Sequence, residues 1–83
     1  MKLSVELTYY PLQQTDHIAA IKQVIDKLNS YSDIKVETFP TATVVMGDYP
    51  VVMAMLNEVI AWGYNQFGRS VFVAKFLPSY EAL

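Results

Sequence analysis

The sequence predicts an α+β domain in which two helices cover one face of a four-stranded antiparallel sheet. Four segments are alternating or rich in β-branched residues, and two segments are apolar at helical spacing. They follow one another in the order strand, helix, strand, strand, helix, strand. Apolar residues at every second position are typical of strands, and at every third or fourth position of helices. A chain of 83 residues is long enough for one domain, so we expect a single domain over residues 1–83.

The first predicted strand shows the strongest alternation in the chain. Its two faces are, on one side, Leu3, Val5, Leu7 and Tyr9 and, on the other, Ser4, Glu6, Thr8 and Tyr10. The first set is apolar enough to pack against helices, and the second is polar and aromatic. Pro11 lacks an N–H group for strand pairing, so we expect the strand to end at Tyr10.

The first predicted helix follows a polar link in which Thr15 or Asp16 can cap its N-terminus. Its apolar stripe consists of Ile18, Ile21, Val24 or Ile25, and Leu28. Weak helix formers at residues 29–32 should end it.

Two further strands are predicted at Ile34–Phe39 and Thr41–Met46. Pro40 lies between them and predicts either the end of the second strand or a tight hairpin, rather than one continuous strand. Gly47 suits a turn after them, and Asp48 suits a helix cap. The sequence leaves open which residues of the third strand face the helices. The alternatives are the pairs Thr43 and Val45, or Val44 and Met46.

The second predicted helix opens at Tyr49 or Pro50, since proline is favourable in a first turn. Its predicted stripe is Val52, Leu56, Val59, Ile60, Gly63 and Phe67, with Met53, Met55, Ala61 and Trp62 off the stripe. Gly68 is a candidate C-cap. The fourth strand is predicted at Ser70–Leu77, ended by Pro78, and the tail at residues 79–83 is expected to be loose.

This element order, with right-handed crossovers, predicts the split βαβ arrangement called ferredoxin-like. The first and third strands then lie in the middle of the sheet. Both helices cover one face, so the other face, called here the open face, is expected to be uncovered and available for contacts.

Composition narrows the classes of function. Hydrophobic residues make up 53% of a small chain, which predicts that some apolar surface is buried between copies, in a homodimer or homotetramer. Six basic against eight acidic residues disfavour nucleic-acid binding. Cysteine is absent and no apolar run reaches membrane-spanning length, so we expect no disulfide, no membrane partner and a cytoplasmic protein.

No catalytic or metal site is predicted, and no cofactor is expected. His17 lacks an evident orienting partner, and donor residues do not cluster. Glu6 and Glu37 can form a carboxylate pair on the open face, or can be solvated or paired with Lys75. Four aromatic residues also have two interpretations: they are Tyr9, Tyr10, Phe39 and Trp62. They can form a wall for a flat organic cation, or they can pack in the core.

Two motifs resemble those of the YkoF-like thiamine-binding domains, which are small ferredoxin-like proteins. A first strand running into Tyr10-Pro11-Leu12 is followed, after a helix, by Glu-x-x-Pro-[Ser/Thr]-x-Thr-x-x-x-Gly, which here spans Glu37 to Gly47. A final valine-rich strand with Lys75 completes a similarity that extends from Lys2 to Phe76. The chain departs from the family pattern at Phe39, Ala42 and Met46.

The resemblance implies binding of thiamine or its hydroxymethylpyrimidine moiety without catalysis, by a homo-oligomer that acts in vitamin transport support or sensing. The implied ligand-binding residues are Glu6, Thr8, Tyr10, Glu37, Phe39, Thr41 and Thr43. Among them, a carboxylate would balance the thiazolium charge and the threonines would hydrogen-bond the aminopyrimidine. The alternative is a structural or regulatory oligomerisation domain whose open face is occupied by subunit contacts.

Overall fold

The computed structural model describes residues 1–83 and confirms the ferredoxin-like α+β class. The elements are β1 (Lys2–Pro11), α1 (His17–Asn29), β2 (Lys35–Thr38), β3 (Thr43–Asp48), α2 (Tyr49–Phe67) and β4 (Ser70–Pro78). The sheet order is β2-β3-β1-β4 and every neighbouring pair is antiparallel. The first and third strands are therefore central, as predicted.

The alternation of β1 sets the two faces of the sheet. Its apolar residues Leu3, Val5, Leu7 and Tyr9 are all buried on the helical side. Directly opposite Val5 lies Val45 of β3, and opposite Leu7 lies Thr43.

Because cross-strand partners share a face, this register settles the choice on β3. Thr43 and Val45 face the helices, whereas Val44 and Met46 belong to the open face.

The core is a single apolar cluster between the sheet and both helices. Its members are Leu3, Val5, Leu7, Tyr9, Ala20, Val24, Leu28, Ile34, Val45, Val52, Met55, Leu56, Val59 and Phe67. The inner face of β1 runs through the middle of this cluster, which is why its alternation predicts the fold so well.

The end of β1 departs from the prediction, since the strand continues through Pro11, which pairs with Ser70. Only Lys2–Leu7 pair with β3, so residues 8–11 have β4 as their single neighbour. Proline is tolerated where one edge of a strand is unpaired. The unpaired edge also leaves a gap in the sheet beside β3, and this gap positions the site described below.

The hairpin between β2 and β3 is shifted along the chain from its predicted bounds. β2 is shorter than predicted by one residue at each end, and β3 begins and ends two residues later than predicted. A four-residue turn, Phe39–Ala42, joins them. The Phe39 N–H group donates to the Ala42 carbonyl oxygen at 2.8 Å and closes this turn. Pro40 therefore lies within the turn of a tight hairpin, which confirms one of the two predictions for this residue.

Gly47 does not form the predicted turn, because it lies inside β3 opposite Leu3. A Cβ atom on Gly47 would lie 3.3 Å from Val52 Cγ2 and 3.4 Å from the Asp33 carbonyl oxygen. Close approach of α2 is thus the reason for glycine here. Asp48 does occupy the N-cap position of α2, but its side chain makes an ion pair with Lys2 at 3.1 Å instead of a capping bond.

Asp16 rather than Thr15 caps α1, with its carboxylate accepting from the Ala19 N–H group at 3.0 Å. Val24 and Leu28 of the predicted stripe are buried, together with Ala20. The prediction for Ile18 as a core residue is wrong, since its side chain is 67% exposed. Its side chain instead lines the cleft described below.

On α2, the predicted stripe is largely confirmed but two residues exchange places. Met55 is buried at 2% exposure, whereas Ile60 is 49% exposed. The buried face is therefore rotated towards Met55, away from Ile60. Gly68 ends the helix as predicted, with a φ of 75° that favours glycine and an N–H group that donates to the Tyr64 carbonyl oxygen.

The C-terminal tail is not loose, because it is held on the open face by Ser4. The buried Ser4 hydroxyl donates to the Tyr80 carbonyl oxygen at 2.5 Å and accepts from the Ala82 N–H group at 2.9 Å. The neighbouring open-face residue Met46 is also buried. One end of the open face is thus covered by the chain itself.

Neither helix has the length and apolar character needed to cross a membrane.

Candidate functional site

A cleft of about 520 Å³ opens at the free edge of β1, where it is lined by helical-side residues and also by Thr8 and Tyr10, which alternate to the open face. It lies between α1, the second half of β1 and the Phe39–Ala42 turn. β3 begins at Thr43, opposite Leu7, and the residues before it form the hairpin turn. Beyond Leu7, β1 therefore has no neighbour on this edge, and the cleft occupies the space that is left. Its volume is in the range of sites that hold small organic molecules.

The walls of the cleft are mainly apolar. Helix α1 contributes Ile18, Ile21, Lys22, Val24, Ile25 and Leu28, and the sheet contributes Leu7, Tyr9, Thr43 and Phe72. Ile18, Ile21 and Ile25 are only partly covered by the protein. Aliphatic side chains left open around a concave site are typical of a surface that an apolar or aromatic ligand covers.

Hydroxyl groups concentrate on the opposite side of the cleft, at the hairpin. Thr8 Oγ1 donates to the Thr41 carbonyl oxygen at 3.2 Å and so joins the turn to the free edge of β1. Thr38 and Thr43 Oγ1 atoms lie 3.2 Å apart and share one hydrogen bond.

These bonds leave a defined capacity for a ligand. A hydroxyl donates once and accepts twice, so Thr8 can still accept. One member of the Thr38–Thr43 pair still has a free O–H group to donate. The hairpin side of the cleft therefore offers both an acceptor and a donor.

Two aromatic side chains lie at the rim. Phe39, in the turn, is 49% exposed, and Tyr10, near the end of β1, is 52% exposed. Exposed aromatic rings beside an apolar cleft can cover one face of a flat ligand, and ring pairs contribute about 0.5–1.5 kcal/mol beyond the area they bury.

Tyr9 lines the inner part of the cleft and is buried at 8% exposure. Its ring packs against Phe72 with centroids 4.7 Å apart. Its hydroxyl is buried without a hydrogen-bond partner. Most buried hydroxyls in proteins are paired, so this one requires an explanation.

The charge of the cleft is positive rather than negative. Lys22 is the one charged side chain among its lining residues, and no carboxylate takes part. An acidic site for a thiazolium cation is therefore not formed in this cleft.

Glu6 and Glu37 lie on the open face, away from the cleft. Across the sheet they form a row in which Glu37 is opposite Val44, Val44 opposite Glu6, and Glu6 opposite Lys75. Two strand spacings of about 4.8 Å separate the carboxylates, so they are not a close pair. Glu6 instead lies 4.0 Å from the Lys75 ammonium, the arrangement given as the solvated or lysine-paired alternative.

Five of the seven sequence-predicted ligand residues meet at the cleft, namely Thr8, Tyr10, Phe39, Thr41 and Thr43. The residues that sequence reasoning missed are the α1 wall and the Tyr9 hydroxyl. A signal existed for the wall, because Ile18, Ile21 and Ile25 widen the apolar face of α1 beyond the stripe that Val24 and Leu28 form. An inward-facing tyrosine likewise needs a partner for its hydroxyl.

A polar cluster fixes α1 against α2 on the far side of the helix pair. Tyr31 Oη donates to Glu58 at 2.5 Å, and Lys27 lies 3.3 Å from Glu58 and over the rings of Tyr31 and Trp62. Burial and the bond to Glu58 raise the pKa of Tyr31 to about 12. The hydrogen bond from Tyr31, then that from Lys27, lowers the pKa of Glu58. Trp62 thus packs in the helix pair and is not part of the cleft.

No cluster of three or more histidine, cysteine, aspartate or glutamate side chains is placed to hold a metal ion. The groups available to a ligand in the cleft are hydroxyls, aromatic rings, aliphatic side chains and one ammonium group. This set suits binding of an uncharged or weakly polar ring by stacking and a few hydrogen bonds.

Comparison with known proteins gives similarity through structure alone. No family model matches the chain, and no curated protein matches it by sequence. A solved protein from Streptococcus pneumoniae superposes with a TM-score of 0.85 at 28% identity, covering 96% of this chain and 89% of that one.

Two further solved structures share the fold at lower identity. One, from Thermotoga maritima, is described as a putative thiamine biosynthesis/salvage protein; it has a TM-score of 0.82 and 23% identity, covering 99% of this chain and 86% of that one. The other is a domain of unknown function from Bacillus cereus, with a TM-score of 0.78 and 14% identity, covering 100% of this chain and 83% of that one. At these identities the likeness shows the ferredoxin-like fold, shared along essentially the whole chain.

Proposed function

We propose that the cleft binds thiamine or its hydroxymethylpyrimidine moiety and that it does so without catalysis. The observation that carries the proposal is the convergence of Thr8, Tyr10, Phe39, Thr41 and Thr43 on one apolar cleft of about 520 Å³. The description of the Thermotoga maritima protein, which shares the fold, supports a thiamine-related ligand.

The polar groups of the cleft support binding rather than chemistry. A general base must lie within hydrogen-bond reach of the proton it removes and needs a suitable pKa. The cleft has hydroxyls and Lys22, without histidine or carboxylate. We therefore propose a non-enzymatic role in vitamin transport support or sensing, in the cytoplasmic location expected from the sequence.

We further propose that the protein is a homodimer or homotetramer. On the open face, Val71 and Val73 of β4 are 41% and 53% exposed; in register, Val71 lies opposite the exposed Tyr10 and Val73 opposite Thr8. Burying such a patch against a second copy removes apolar surface that a small domain cannot cover itself. The same patch favours a second candidate function, a structural or regulatory oligomerisation domain whose open face is occupied by subunit contacts.

Titration calorimetry with thiamine and with hydroxymethylpyrimidine tests the first proposal. We expect saturable heat from the wild-type protein and an affinity roughly twofold to tenfold weaker for Phe39→Ala, which loses about 0.5–1.5 kcal/mol of ring contact. Phe76→Ala is the matched control, since Phe76 is 50% exposed and lies outside the cleft.

Absence of heat at millimolar concentrations of both ligands, from a protein whose assembly is intact, would favour the oligomerisation domain. Equal weakening by both phenylalanine variants would remove the cleft as the site. Sedimentation across a dilution series tests the assembly, and a monomer at every concentration would contradict it.

A further inference from the structure

The two edge strands of the sheet, β2 and β4, are protected to very different degrees. A free edge presents unpaired N–H and C=O groups, and proteins usually protect it with a short strand, charged side chains or proline. β2 has four residues, of which Lys35 and Glu37 are charged. β4 has nine residues, with Lys75 as its only charge and Pro78 only at its last position. The edge of β4 is therefore long, mainly apolar and open to pairing.

Half of the backbone groups of β4 point away from the sheet. The Leu12 N–H group donates to the Arg69 carbonyl oxygen, and the Ser79 N–H group donates to the Lys2 carbonyl oxygen. Because antiparallel strands alternate between bonded and non-bonded pairs, the odd-numbered residues of β4 bond to β1. The residues between them, whose backbone groups face outward, are Ser70, Phe72, Ala74 and Phe76.

The side chains along this edge are only partly covered on the helical side of the sheet. Phe76 lies opposite Val5 and Ala74 lies opposite Leu7, so both face the helices. Phe76 is nevertheless 50% exposed and Ala74 is exposed as well, so α2 does not reach over the outer strand. Apolar side chains beside a free strand edge are typical of a surface that a further strand covers.

A shallow depression of about 320 Å³ lies between the end of β4 and the first turns of α2. Its lining is almost entirely apolar and consists of Leu3, Tyr49, Met53, Phe76 and Pro78. The apolar surface therefore continues from the strand edge onto the helix beside it.

The sequence of β4 suits pairing with a second copy of itself. Ala74 is the middle residue of Ser70–Pro78, so antiparallel pairing about a two-fold axis at Ala74 aligns all nine residues. Ala74 also faces outward, so its N–H and C=O groups bond to those of the other Ala74. In this register Phe72 of each copy lies beside Phe76 of the other. Lys75 lies opposite Val73, so the two ammonium groups do not face each other.

Pairing of β4 with β2 of another copy fits less well. Because β2 has four residues and β4 has nine, more than half of β4 would stay unpaired. Such a head-to-tail contact also leaves one free edge at each end and continues into an open filament, whereas a two-fold contact closes.

We propose that β4 pairs antiparallel with β4 of a second copy about a two-fold axis at Ala74, which joins the two sheets into one continuous sheet. This contact does not depend on the ligand of the cleft. It is distinct from the open-face patch of Val71, Val73 and Tyr10, and the two kinds of two-fold contact together build a homotetramer.

Ala74→Pro tests the edge, with Ala74→Ser as the matched control. Proline removes the outward N–H group at the two-fold axis, which β1 does not use, so the sheet within one copy keeps its bonds. Serine keeps that N–H group. In sedimentation across a dilution series, we expect Ala74→Pro to associate at least about tenfold more weakly than wild type, and Ala74→Ser to associate as wild type does.

Ala74→Cys gives a second measurement, which decides the matter if Ala74→Pro fails to fold. The chain has no cysteine, so a short bis-maleimide can join two copies only through residue 74. We expect a linked dimer from Ala74→Cys and none from Ser32→Cys, since Ser32 is exposed in the turn after α1. Contact through the open face alone cannot give this link, because the side chain of Ala74 lies on the helical side.

The outcomes separate this contact from the proposed function. Equal association of folded Ala74→Pro and Ala74→Ser, or no linked dimer from Ala74→Cys, would overturn the edge contact and leave the open-face assembly and the ligand in place. A wild-type monomer at every concentration would overturn the second copy as the occupant and leave the edge to an extended segment of another protein. Thiamine titration of Ala74→Ser reports on the cleft separately, since Ala74 does not line it.

Discussion

The tail on the open face should detach when Ser4 loses its hydroxyl. Ser4 is fully buried, and its oxygen both donates to the Tyr80 carbonyl and accepts from the Ala82 N–H group. Ser4→Ala removes both bonds at once without adding bulk. Two bonds of Ser79 would then hold the start of the tail: its N–H group donates to the Lys2 carbonyl oxygen at 2.8 Å, and its hydroxyl donates to Met1 Sδ at 3.5 Å.

The size of the effect follows from the bonds lost. Each hydrogen bond between neutral groups contributes about 0.5–1.5 kcal/mol net, so two contribute about 1–3 kcal/mol. The tail can open without unfolding the sheet, so this loss lowers the free energy of local opening. A decrease of that size makes opening roughly 5- to 150-fold more frequent.

Amide hydrogen exchange at Ala82 measures this opening directly. Exchange should accelerate in Ser4→Ala by the factor given above, while amides of β1 and β3 stay protected. Ser32→Ala is the control, because Ser32 is exposed in the turn after α1 and makes no side-chain hydrogen bond to the rest of the chain. An unchanged Ala82 exchange rate in Ser4→Ala would refute the assignment of the tail to this serine.

Three further predictions concern contacts that hold the two helices in place. Tyr31→Phe should raise the pKa of Glu58 towards 4.5 in an NMR titration. Because the folded-state pKa is lowered, Glu58 stabilises the fold above pH 4.5 and loses this contribution as pH falls through the folded value, so the variant should flatten that part of the stability profile. Gly47→Ala should lower the free energy of unfolding in urea by about 1–3 kcal/mol, since its Cβ would lie 3.3 Å from the Val52 side chain; unchanged stability would mean that α2 adjusts freely. Asp16→Ala should cost about 1 kcal/mol in the same assay by removing the cap of α1, and a neutral result would discount that cap.

Local sequence pattern was sufficient for the architecture. The alternation of β1 correctly predicts its inward-facing residues, which are Leu3, Val5, Leu7 and Tyr9. These four residues belong to the core cluster between the sheet and the helices. Element order, with the rule for crossover handedness, then predicts the sheet order. Both depend on the period of the backbone, which each segment determines for itself.

The candidate site depended on contacts between distant segments. Motif residues predicted the hairpin side of the cleft, Phe39 to Thr43, but Glu6 and Glu37 were placed with them and lie on the other face. Alternation indicates that two residues share a face, yet it does not say which face has space for a ligand. That space exists because β3 stops pairing with β1 after Leu7.

The sequence by itself determined the six elements, their order and the buried face of the central strand, because strand and helix periods are local properties. Only the tertiary structure decided that Ile18 is exposed beside the cleft, that Met55 replaces Ile60 in the core, and that the tail covers Ser4. Each of these depends on how far one element extends over another. The angle and register of packing follow from the sum of many weak contacts across the whole core, and no single segment contains that information.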